Sequence, residues 1–176
     1  MKKIWIFCII FLFLPVVAMA ELPLGEVPPL VTLQGDDGGR VDGTSWSSSE
    51  LKGHVSYVFY VDPDESELND KMLDALETLK NPKGSHKAYT IINMDATWLP
   101  NMAIASKLKD KQEAHPDAIF IKDMEKVMVK KWGLEDDSFD VLVIARDGTV
   151  VFSKDGELSA SDIEQMLAVI RENVAK

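Results

Sequence analysis

The chain has 176 residues, 46% of them apolar, and a formal net charge of −10 at pH 7. That length and apolar content suit one domain of ordinary size with a real core. The acid excess excludes nucleic acid and anionic membrane surfaces as partners and favours basic or cationic ones.

The first twenty residues set the expected compartment. Lys2 and Lys3 form a positive start, residues 4–17 an apolar run, and Ala18-Met19-Ala20 a small-x-small cleavage site. This is the pattern of a secretory signal peptide. The run is shorter than the roughly 20 residues that span a bilayer, so no membrane insertion is expected after cleavage. The expected organisation is a leader at 1–20 and a single domain at 21–176. The one cysteine of the chain, Cys8, leaves with the leader. The mature protein then has no thiol, hence no disulfide and no thiolate nucleophile. Loss of Lys2 and Lys3 takes the net charge from −10 to −12.

Residues 21–35 read as a Pro-rich lead-in strand, and Asp36-Asp37-Gly38-Gly39 as a turn. Trp46 to Leu51 reads as a short helical turn capped from Ser47 to Ser49. Val55 to Val61 is nearly all apolar, which suits a strand buried on both faces. Leu68, Met72, Ala75, Leu76 and Leu79 then recur at helical spacing, with Asp64, Glu65 and Glu67 in the first turn, where carboxylates cap amides. Residues 88–94 predict a second strand. Pro100-Asn101 opens a helix with Met102, Ala105 and Leu108 inward. A short strand at 118–121 and a helical turn at 124–132, closed by Gly133, follow. Asp147-Gly148 between two apolar runs predicts a two-residue hairpin turn. Ser161 and Glu164 read as the capping box of a last helix. The order predicts an α/β fold, a central mixed sheet with helices on both faces.

Several stretches resemble the thioredoxin-like superfamily in its exported, peroxiredoxin-type branch. They are VPPLVTL, SSSELKG, VSYVFYV, the Lys130-Lys131-Trp132-Gly133-Leu134 turn and VLVIARDGTVVFSKDGEL. More narrowly, INMDA at 92–96, WGLEDDS at 132–138 and the IARDG…KDGELS ending resemble the YtfJ family. Those are exported, thioredoxin-like proteins of Gram-negative bacteria that lack the redox cysteines. The resemblance implies a thioredoxin-like fold and a periplasmic location. The cysteine positions of active relatives fall near Asp64 and Glu67. Their cis-proline falls near residues 138–140, where this chain has none. Both departures point to a protein without thiol oxidoreductase or peroxidase activity.

The expected site is the sheet edge where three loops meet, the usual place for ligands of open α/β sheets. Asp62, Asp64, Asp95 and Asp140 form a candidate set for a hard cation such as Ca²⁺, with Asn93 as a further oxygen donor. Glu65, Ser66, Trp98, Asp136 and Asp137 complete a candidate interaction surface. The competing reading is capping and solvation. Trp98 and Trp132 are expected at that same edge, as lids on the core or as a binding platform. Met102, Met124 and Met128 are expected to pack, and His54, His86 and His115 to lie on the surface. The first reading of function is a non-redox binding module with no cofactor, serving an envelope protein or another basic partner. The alternative is a Ca²⁺-binding protein or metal-dependent hydrolase.

Overall fold

Val55 to Val61 forms β4, and all seven of its residues are buried. The computed structural model describes residues 22–82 and 84–176. The expected leader, with Cys8, lies outside the described residues.

The other strands are β1 (Thr32–Leu33), β2 (Gly38–Arg40), β3 (Trp46–Ser47), β5 (His86–Asn93), β6 (Ile119–Asp123), β7 (Phe139–Ile144) and β8 (Val150–Lys154). The helices are α1 (Asp70–Glu77), α2 (Asn101–Ala114), α3 (Val127–Trp132) and α4 (Ala160–Ala175). Six strands form one sheet in the order β2-β6-β5-β4-β7-β8, and β1 pairs with β3 in a separate ribbon. β4, β5 and β6 run parallel, whereas β2, β7 and β8 are antiparallel to their neighbours.

Side chains alternate across a strand, so each strand serves two cores. Val55, Tyr57, Phe59 and Val61 of β4 pack beneath Met72 of α1, Ile104 and Leu108 of α2, and Met166 and Ile170 of α4. Val58 and Tyr60 face the other way, toward Met128 and Trp132 of α3, Leu33 of β1 and Trp46 of β3. Helices cover both faces, as the sequence order predicts.

Four local expectations are corrected. Gly38-Gly39 is an edge strand rather than a turn. A Cβ on Gly38 would lie 2.0 Å from the Lys122 carbonyl oxygen, so glycine lets β2 close on β6. The hairpin loop holds three residues, Arg146 to Gly148, closed by Ala145 N–H donating to Thr149 O and Gly148 N–H to Ala145 O, each at 2.9 Å. Gly148 supplies the positive φ of 96° that ends such a loop. The last helix starts at Ala160, with the capping box on Ser159 and Asp162 rather than on Ser161 and Glu164. Of the Pro-rich lead-in, only Thr32–Leu33 is a strand. The preceding stretch lies along β8, where Gly25 N–H donates to Val150 O and Val150 N–H to Glu26 O. Leu22 N–H donates to Ser153 Oγ at 3.1 Å. Among the described residues no helix is long and apolar enough to cross a membrane.

Candidate functional site

The three loops expected to meet do so at the ends of β4, β5 and β7. Asp62 ends β4, and its N–H donates to Ser138 O at 2.9 Å. Its Oδ1 accepts from Asp64 N–H at 2.8 Å. That bond, with Pro63 preset for the turn, caps a short 3₁₀ turn over Pro63–Glu65. The helix proper begins only at Asp70. The cap is therefore Asp62, and Asp64, Glu65 and Glu67 are not the first turn of α1. Asp62 is 4% exposed. Burial raises its pKa, the Asp64 N–H opposes this, and the nearby charges of Asp64, Asp137 and Glu65 add to the rise. Asp64 and Ser66 are exposed and Glu65 is half-buried.

Alternation places Tyr60, Asn93, Asp123 and Asp140 on the α3 face at this same end. Asp123 is wholly buried. Its Oδ1 accepts from Val127 N–H at 2.8 Å, and its Oδ2 from Met128 N–H at 2.9 Å and the Tyr60 hydroxyl at 3.2 Å. It thus satisfies the free amides that open α3. Tyr60 is held well above the ordinary tyrosine range, by burial first and then by the Asp123 charge.

Lys126 is the one non-glycine residue with positive φ among the described residues, at 53°. That turn of the backbone sends its side chain toward the loop before β7. Its Nζ donates to Asp136 Oδ2 at 2.7 Å and lies 3.8 Å from Asp95 Oδ2. Asn93 Nδ2 donates to both Asp136 O and Asp136 Oδ1 at 2.9 Å. The hydrogen bond to Asp136 raises the Lys126 pKa against its partial burial. Burial works to raise Asp136, but the bonds from Lys126 and Asn93 prevail and hold its pKa low.

Asp140 lies within β7 rather than in the loop before it, and is 1% exposed. Its Oδ1 accepts a long bond, 3.4 Å, from Glu135 N–H. Its Oδ2 and Asn93 Oδ1 are buried without a hydrogen-bond partner. Burial, then the charge of Asp155, push Asp140 up to about 8.

Asp62, Asp64, Asp95 and Asp140 therefore do not converge as one ligand set. Asp64 faces solvent, Asp62 caps its own turn, Asp95 faces Lys126, and Asp140 lies under the loop. Among the described residues no three His, Cys, Asp or Glu side chains gather where they could hold a metal ion. The positive charge at Asp95 and Asp136 is the chain's own ammonium.

The two tryptophans part company. Trp98 stays at the edge but is 86% exposed, so it is no lid on the core. Met102 is 84% exposed instead of packed inward. Trp132 is buried, and its Nε1–H donates to Pro29 O at 2.7 Å. It lines a cavity of about 150 Å³ with Val27, Leu30, Leu51, Lys52 and Gly148. Lys52 precedes β4 and Gly148 follows β7, so this cavity is at the opposite end of the sheet. Two of the histidines are also less superficial than expected. His54 stacks on Tyr89 with ring centroids 6.1 Å apart, and His86 on Tyr57 at 5.2 Å. Burial lowers both pKa values. His115 is exposed.

Sequence reading missed Lys126 and Asp123. An aspartate just before a helical run is a capping signal, so Asp123 was within reach. Lys126 had no such signal, because its role depends on a left-handed backbone.

The end of β4, the turn that follows it and the mixed sheet between helical layers define a thioredoxin-like fold. The thioredoxin domain of a thiol-disulfide oxidoreductase from Bacteroides vulgatus superimposes with a TM-score of 0.57 at 16% identity, covering 84% of this chain and 96% of that one. A peroxiredoxin-like protein from Aquifex aeolicus gives 0.58 at 11% identity, covering 85% and 89%. The chain belongs to the family described as "Bacterial protein of unknown function (YtfJ_HI0045)", which matches residues 31–173. It is 29% identical to the protein YtfJ of Escherichia coli (strain K12) over 169 residues, 91% of this chain and 92% of that protein.

Proposed function

We propose that this protein is an exported, periplasmic binding module that uses the thioredoxin-like fold without thiol chemistry. Its partner is a basic segment of an envelope protein. The edge that receives it carries Asp64, Glu65, Ser66, Asp95, Trp98, Asp136 and Asp137.

The observation that carries the reading is Trp98. Trp98 is 86% exposed in the loop that also carries Asp95, and tryptophan is enriched at binding surfaces. An indole face among carboxylates attracts a lysine or arginine, through the ring and the acids together. By the family resemblance, the cysteine positions of active relatives fall near Asp64 and Glu67. A carboxylate cannot form a disulfide.

The test uses a tagged mature protein to capture partners from envelope extract. Capture is expected to weaken with salt and to fall at least tenfold in Trp98→Ala, whose fold survives because Trp98 packs on little. Equal capture by Trp98→Ala and wild type would remove this edge from the account. Insulin reduction above background would remove the non-redox reading.

A further inference from the structure

We propose that Asp140 is a proton-operated latch on the loop between α3 and β7. Neutral, its carboxyl lets residues 134–138 close over the sheet end; ionised, it drives them outward and admits water.

The loop is tied at several points. Asn93 and Lys126 hold Asp136, and Asp62 N–H holds Ser138 O. Ser138 Oγ donates to Asp155 Oδ1. Beneath these ties, Glu135 N–H reaches Asp140 Oδ1 at only 3.4 Å. Asp140 Oδ2 meets no partner. This costs a neutral carboxyl less than an anion, because a buried charge needs a counter-charge or several donors.

The groups facing Asp140 supply neither. From β4 comes Tyr60, its register partner, an uncharged phenol whose hydroxyl is given to Asp123. From β5 comes Asn93, whose amide nitrogen is given to Asp136. From beyond β8 comes Asp155, whose charge raises Asp140, and from the loop comes Glu135, whose N–H favours the anion while its side-chain charge opposes it. Lys126 of the α3 turn is committed to Asp136 and Asp95. Lys154 of β8 is the register partner of Val141, one residue further along β7. Burial first, then the charges of Asp155 and Glu135 against the pull of the Glu135 N–H, place the transition at about 8. On losing its proton the carboxylate sits beside two like charges, and the movable neighbour is the loop. Local opening of a tethered loop is the least costly way to hydrate it.

The latch stands by itself; its effect on partner binding, through Asp136 and Asp137 on the same loop, rests on the proposed binding edge. The experiment needs no partner, so failure of either idea leaves the other standing. The Asp140 carboxyl carbon is followed by NMR from pH 5 to 9.5. In parallel the exchange rate of the Glu135 amide is measured and divided by its intrinsic rate. One midpoint well above pH 6 is expected in both, with Glu135 protection falling at least tenfold across it. Asp140→Asn should abolish the loop transition. Glu135→Gln, which leaves the buried residue in place, should move the midpoint down. An Asp140 carboxyl titrating below pH 6, a loop whose protection is flat across the titration, or the same transition persisting in Asp140→Asn overturns the latch. So does a midpoint unmoved by Glu135→Gln.

Discussion

Asp123→Ala is expected to be among the most destabilising single substitutions at the sheet end. The carboxylate is wholly buried and accepts from Val127 N–H, Met128 N–H and the Tyr60 hydroxyl. Losing a helix cap costs about 1 kcal/mol, up to about 2. Leaving the buried Tyr60 hydroxyl without an acceptor adds about 1–3 kcal/mol. The expected total is about 3 kcal/mol, a large share of a typical 5–15 kcal/mol stability. It corresponds to a melting temperature lower by about 10 °C for a chain of this size. Urea unfolding followed by circular dichroism measures the loss. A double-mutant cycle with Tyr60→Phe isolates the hydroxyl. Removing the hydroxyl should cost about 1 kcal/mol in wild type and be neutral or favourable beside Asp123→Ala. A loss under about 1 kcal/mol for Asp123→Ala, or equal effects of Tyr60→Phe in both backgrounds, would refute the capping account.

Gly38→Ala should destabilise by several kcal/mol, because its Cβ would meet the Lys122 carbonyl at 2.0 Å and its φ of 122° strains any other residue; the midpoint of urea unfolding reports it. Asp140 has a folded pKa of about 8 against an ordinary 3.8, so the folded state holds an extra proton between those values. Stability from this group is therefore present below pH 3.8, falls by roughly 1 kcal/mol per pH unit through the window, and levels off above about 8; Asp140→Asn should flatten that slope in denaturation curves taken from pH 5 to 8. Millimolar Ca²⁺ should give neither calorimetric heat nor a melting shift in Lys126-containing protein, since an ammonium already faces Asp95 and Asp136; a saturable heat would restore the cation reading.

The sheet was legible where side chains carry its pattern. β4 announces itself by six apolar or aromatic residues in seven, and β7 with β8 by runs flanking a glycine turn. β2 did not, because Gly38-Gly39-Arg40 joins the sheet through backbone bonds and glycine clearance, with no apolar alternation to read. The start of α1 misled for a different reason. Acids after a proline look like a first helical turn, but Leu68 N–H bonds to Glu65 O and Asp70 N–H to Glu67 O, three residues back each time, so the chain makes successive turns first. At the site, sequence placed the three loops together and picked out Trp98 as a surface candidate. It could not assign Lys126, whose partners lie ten and thirty-one positions away and are reached only from a left-handed residue. Nor could it separate buried Asp140 from exposed Asp137, since charge alone does not reveal which way a strand end faces.

The strap of residues 22–26 along β8 covers part of the outer border of the sheet. Its hydrogen-bonding groups at Val150 are taken by Gly25 and Glu26, and Pro23 within the strap and Pro28 just after it have no amide to offer a foreign strand. A recombinant version begun at Val31 would bare that border. It should keep the helices, yet gain a template for strand-by-strand aggregation that the longer chain denies.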